Sequence, residues 1–166
     1  PLIILALGNL YDLGIGPSSF TYRPLDASAH QIRLIRFHPQ DELHSNSNRP
    51  LKATIKHISL KANLSYLALS YVWGDPTRTK SLLLDGQVLQ ITENLDQAIR
   101  HLLSVDDTPL RIPDRFIQDT RRPTSPRKIL NLRNYIWVDA ICINQQDDVE
   151  KSWQVQLMRN IFEKAN

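Results

Sequence analysis

A chain of 166 residues with 42% hydrophobic and 22% charged residues has the make-up of one ordinary globular domain, able to bury roughly 68–70% of its unfolded surface. Its one cysteine, Cys142, excludes an internal disulfide and a multi-cysteine zinc site, and points to a reducing, cytoplasmic setting. The net charge of +3 is local, since residues 111–133 hold seven Lys/Arg against two Asp/Glu and the remainder is about −2, so nucleic acid is not an expected partner.

In chain order, the opening "PLIILAL" is too short to span a membrane and lacks the basic flank of a signal peptide. Residues 1–19 read as a tail and 20–166 as the domain, and a start at Pro1 suggests a fragment of a longer product. In "IRLIRF", Ile32 and Leu34 alternate with Arg33, Ile35 and Phe37, the pattern of a half-buried antiparallel strand. A polar loop (40–50) and a weaker strand (52–60) follow. "YLALSYVW" (66–73) is almost continuously apolar, as a strand covered on both faces should be, and stops at the Gly74-Asp75-Pro76 turn signal. "SLLL" and "QVLQI" flank Asp85-Gly86, the signature of a hairpin with a type I′ turn.

Thr92 or Asn94 caps the helix that follows, which lines up Leu95, Ile99 and Leu102 and ends near Ser104. Residues 105–133, with Pro113, Pro123 and Pro126, form a basic insertion loop. "YIWVDAICI" (135–143) reads as a second covered strand. Asp147 and Glu150 then resemble a capping box opening a helix with Val149, Trp153, Leu157, Ile161 and Ala165 at every fourth position. Two covered strands, each feeding a helix, predict an α/β fold with an open, mostly parallel sheet under helical cover.

In such a sheet ligands gather outside the carboxyl ends of the strands. There the sequence places Ser70, Trp73, Gly74 and Asp75 after one strand, and Asp139, Asn144, Gln145 and Asp147 in or after the other, as candidate ligand-binding residues. Asp139 interrupts an apolar run, so its carboxylate is hydrogen-bonded, paired or protonated. It either fixes a loop or serves a ligand, and with Glu150 it is a candidate catalytic acid. Ser70 lacks a Gly-x-Ser-x-Gly elbow, and the plain alternative for Asp147 and Glu150 is helix capping. The histidines (His30, His38, His44, His57, His101) show no metal spacing, so no metal is expected. Cys142 reads as a core thiol.

The segments "ALSYVWGD" (68–75), "LDGQVLQITENLDQAIRHL" (84–102), "YIWVDAICINQQD" (135–147) and "EKSWQVQLMRNIFEKA" (150–165) resemble the first two blocks of the fungal heterokaryon incompatibility (HET) domain, with "YRPLD" and "IRLIRFHP" as its run-up. The resemblance implies a fungal, cytoplasmic module of nonself recognition and programmed cell death that acts through protein partners or self-association. It also implies a distant likeness to Toll/interleukin-receptor (TIR) domains, hence a flavodoxin-like strand order. A rival function follows, an NAD glycohydrolase with NAD as substrate rather than cofactor. Its catalytic glutamate would belong to a third block with a Trp-Thr-x-Gln-Glu pattern, which does not occur before Asn166, so an incomplete domain is expected.

Overall fold

The computed structural model describes residues 17–38, 49–104 and 135–165. The expected insertion at 105–133 and most of the loop at 40–50 lie outside them. The strands are β1 (Gln31–Phe37), β2 (Leu51–Ser59), β3 (Tyr66–Ala68), β4 (Arg78–Leu84), β5 (Gln87–Thr92) and β6 (Tyr135–Trp137). The helices are α1 (Glu93–Ser104), α2 (Asp139–Cys142) and α3 (Asp148–Lys164). The strands form one sheet in the order β3-β6-β1-β2-β4-β5.

An α/β fold therefore forms, but the sheet is mixed rather than mostly parallel. β1 runs antiparallel to both β2 and β6, and β4 to β5, whereas only β2/β4 and β3/β6 are parallel. A short connection decides only the β4/β5 pairing, because a two-residue turn can join only antiparallel neighbours. The hairpin turn is the one expected: Asp85 and Gly86 have φ of 49° and 80°, and Leu84 pairs with Gln87. Residues 18–20 line the outer edge of β5, with the Phe20 amide donating to the Val88 carbonyl and the Val88 amide to that of Ser18, each at 2.8 Å. Thr92 caps α1, its hydroxyl accepting from the Leu95 amide at 3.3 Å, and Leu95, Ile99 and Leu103 are buried.

Four expectations change. β1 is buried on both faces, through Ile32 and Leu34 on one and Arg33, Ile35 and Phe37 on the other, because it lies inside the sheet between β6 and β2. The 66–73 strand stops at Ala68. The Leu69 amide still donates to the Trp137 carbonyl at 2.8 Å, and the chain then leaves the sheet. In 135–143 only Tyr135–Trp137 is strand, and Asp139 opens the single-turn helix α2. The face that α3 buries is led by Glu150 and Gln154 and joined by Ile161, while Val149 is exposed. Apolar spacing finds Ile161, with Leu157 and Ala165 packed against the core, and misses the polar part of that face.

The polar half has partners in the core. Arg33, fully buried, grips both oxygens of Glu150, Nη2 at 2.8 Å from Oε2. The same guanidinium donates to the carbonyls of Cys142 (3.1 Å) and Arg23 (2.6 Å), and the Tyr22 ring lies 4.8 Å from it. Glu150 Oε1 also accepts from the Asn144 amide at 2.8 Å. Glu150 thus does not turn back on the helix start as a capping box would. Asp147 caps alone, accepting from the Val149 and Glu150 amides at 3.0 Å. Lower on α3, Gln154 Nε2 donates to the Gln31 carbonyl (2.7 Å), and the Tyr66 hydroxyl donates to the Ile161 carbonyl (2.6 Å).

Removing one partner of a buried ion pair strands the other charge in low dielectric. Arg33→Met is therefore expected to lower the unfolding free energy by about 3–5 kcal/mol in urea denaturation, and the Arg33→Met/Glu150→Leu pair to recover much of that loss. A loss under about 1 kcal/mol for the single change would show that the pair is unimportant to the fold.

Candidate functional site

The polar knot after β6 is a compact loop built on Asp139. Its Oδ1 accepts from the Ala140 amide at 2.7 Å, and its carbonyl accepts from the Ile143 amide (3.1 Å) and from Gln145 Nε2 (3.0 Å). Asn144 Oδ1 accepts from the Gln146 amide at 3.2 Å, and Asp147 then starts α3. Five of the sequence candidates, Asp139, Asn144, Gln145, Asp147 and Glu150, thus hold one turn between two helices.

The other segment is laid against this turn. Leaving β3, the chain passes through Ser70 and Tyr71 to Trp73, whose indole Nε1 donates to Asp139 Oδ2 at 3.2 Å. Tyr71 and Trp73 stack with ring centroids 6.4 Å apart and planes within 10°. Gly74 follows with φ +63°, a conformation that favours glycine, and a Cβ there would stand 2.0 Å from Asn94 Nδ2, so that exposed side chain would have to swing aside. Asp75 Oδ1 accepts from the amide and hydroxyl of Thr77 at 2.8 and 2.7 Å, closing the bend. Ser70 is exposed and makes no side-chain hydrogen bond among the described residues.

Between the Trp73 loop and the β5–α1 junction lies an open cleft with about 390 Å³ of empty space, walled by Tyr71 and Trp73, floored by Ile91, Leu95 and Ala140, with Arg78 in its lining. The Tyr71 hydroxyl is buried near Thr92 without closing a hydrogen bond to it. Burial first, and the charge of Asp139 second, push its pKa up. Burial likewise raises Asp139, against the opposing bonds from the Ala140 amide and the Trp73 indole. Cys142 is free and fully buried, its thiol pushed up to about 12 by burial, which leaves it unreactive.

Glu150 is 5% exposed, with both oxygens engaged inside the protein, while Asp139 is half-buried beside the cleft. Sequence reasoning passed over Arg33, Tyr71 and Arg78. Arg33 carried the same signal as Asp139, a charge set among aliphatic residues. Among the described residues no three His, Cys, Asp or Glu side chains gather as a metal site, and no helix is long and apolar enough to cross a membrane.

A family model described as "Heterokaryon incompatibility protein (HET)" matches residues 66–112 and 103–166. The chain is 36% identical over 149 residues to "Heterokaryon incompatibility protein 6, OR allele" of Neurospora crassa, an alignment that covers 85% of this chain and 18% of that protein. The chain therefore spans under a fifth of that relative's length. No solved structure matches it.

The raised Asp139 carboxyl gives a testable pH signature. A group that holds its proton more tightly when folded contributes stability that is complete below its unfolded value of 3.8 and is lost as pH rises through the folded value. Asp139→Asn is expected to remove that decline from a plot of melting temperature against pH. An unchanged slope would show that Asp139 titrates as it does in the unfolded chain.

Proposed function

Because the chain belongs to the heterokaryon incompatibility (HET) family, we propose that it is the nonself-recognition module of a fungal protein and signals toward cell death through a protein contact at the Trp73 loop. One observation carries this reading: Val72 is 82% and Trp73 45% exposed on a loop fixed from beneath. The indole bond to Asp139, the fit of Gly74 against Asn94 and the Asp75–Thr77 bend hold that loop in one shape. Exposed apolar side chains on a fixed loop lose little entropy on docking, which favours a partner surface. Self-association of the module and a cytoplasmic place of action belong to the same proposal.

The NAD-cleaving alternative is not advanced. A sheet with three antiparallel pairings departs from the flavodoxin-like order that accompanied that idea.

The test uses the full-length protein in a fungal host, scoring growth arrest when incompatible hyphae fuse. Val72→Asp is expected to abolish arrest while the circular dichroism spectrum and melting temperature of the isolated domain stay within error of wild type, because an exposed side chain contributes little to folding. Full arrest with Val72→Asp and with Trp73→Ala would place the contact elsewhere.

A further inference from the structure

A second cleft, sharing no lining residue with the first, opens where the start of β4 meets α1 and Arg49, with about 510 Å³ of empty space. Its lining includes Thr79, Lys80, Asp96 and Arg100. Asp96 is 3% exposed, and its Oδ2 accepts from Arg100 Nε at 2.7 Å. Arg100 Nη2 donates to the Arg49 carbonyl at 2.7 Å. Two bonds thus fix the guanidinium plane, and Nη1 is left uncommitted among the described residues. Asp96 Oδ1 is buried with no hydrogen-bond partner. Lys80 reaches the exposed Glu93 only at 3.9 Å.

Each part constrains the ligand. A fixed Arg, a nearby Lys and a Thr hydroxyl attract an anion with several oxygens. An unpartnered buried carboxylate oxygen repels any anion that presents only lone pairs and rewards one that brings a proton. Both conditions are met by a tetrahedral anion that still carries a hydroxyl.

We propose that this cleft binds a protonated phosphate group, as hydrogen phosphate or the monoester of a small molecule, with Arg100, Lys80 and Thr79 holding the oxygens and Asp96 Oδ1 accepting the phosphate hydroxyl. Sulfate and phosphodiesters, which carry no proton near neutral pH, are rejected by the same oxygen. The site is independent of the protein contact at the Trp73 loop and stands whether or not that contact exists.

The test titrates the isotope-labelled full chain with inorganic phosphate, glycerol 3-phosphate and sulfate near pH 6, where a phosphate monoester is about half protonated. The reporters are the amides of Thr79, Lys80 and Ser81 and the Arg100 Nε–H. Both phosphates should move these resonances, with sulfate at least about tenfold weaker, because a site built to pair a donor discriminates against ligands lacking it. The tighter of the two phosphates identifies the natural form, ester or free anion. Asp96→Asn replaces the acceptor by an amide that can donate, and should bring sulfate to within about twofold of phosphate. Lys80→Met, at a partly exposed position, should weaken phosphate while leaving the preference over sulfate intact, which supports the assignment even if the Asp96 variant does not fold. Equal binding of sulfate and phosphate by the unaltered chain, or no shift with either, overturns the proposal.

Discussion

A guanidinium buried inside a six-stranded sheet has to be neutralised and hydrogen-bonded within the protein, because water cannot reach it. The two terminal nitrogens of Arg33 meet that requirement by drawing three parts of the chain to one point: the segment entering β1 through the Arg23 carbonyl and the Tyr22 ring, the end of α2 through Cys142, and the first turn of α3 through Glu150. Glu150 carries the constraint one step further through the Asn144 amide. The turn between α2 and α3 is therefore set by electrostatics more than by apolar packing, and α3 follows it with Gln154 on the Gln31 carbonyl.

The proposed contact surface inherits that arrangement. Asp139 lies at the start of the α2 turn held by Arg33, and Trp73 finds Asp139 from the other strand end. The loop that exposes Val72 is thereby tied to the sheet interior by a short sequence of hydrogen bonds. Such a link gives a means for a contact at the loop to be felt at α3, since Gln145 bonds to the Asp139 carbonyl and its chain neighbour Asn144 bonds to Glu150 through its amide. Tyr71 lines the cleft of the same region, half-buried with an unanswered hydroxyl.

Much of this arrangement is legible in the sequence. Asp85-Gly86 announces its turn because two positive φ angles admit few residue pairs, and Thr92 and Asp147 announce their helices because orphan amides need a side-chain acceptor. The candidates around Asp139 fall into one neighbourhood, as the ends of β3 and β6 lie side by side. Sheet order is not legible, since it depends on which strands meet across long connections. The runs at 66–73 and 135–143 mislead because Tyr71 and Trp73 pack over a cleft and Ile141 and Cys142 pack from a helix, and burial by loop or helix leaves the same apolar signature as burial by strand. Periodicity shows only part of the face of α3, Ile161 with Leu157 and Ala165, because Glu150 and Gln154 are buried by specific partners.

The claim that Arg33 and Glu150 organise the site is tested most directly by amide hydrogen exchange on Glu150→Gln, which keeps the shape of the side chain and removes its charge. Protection is expected to fall selectively at the Asn144 amide, across α2 and in the first turn of α3, together with faster exchange of the Trp73 indole, while the β4–β5 hairpin keeps its protection. Unchanged exchange at Asn144 and Trp73, or a uniform loss over the whole sheet, would contradict that claim.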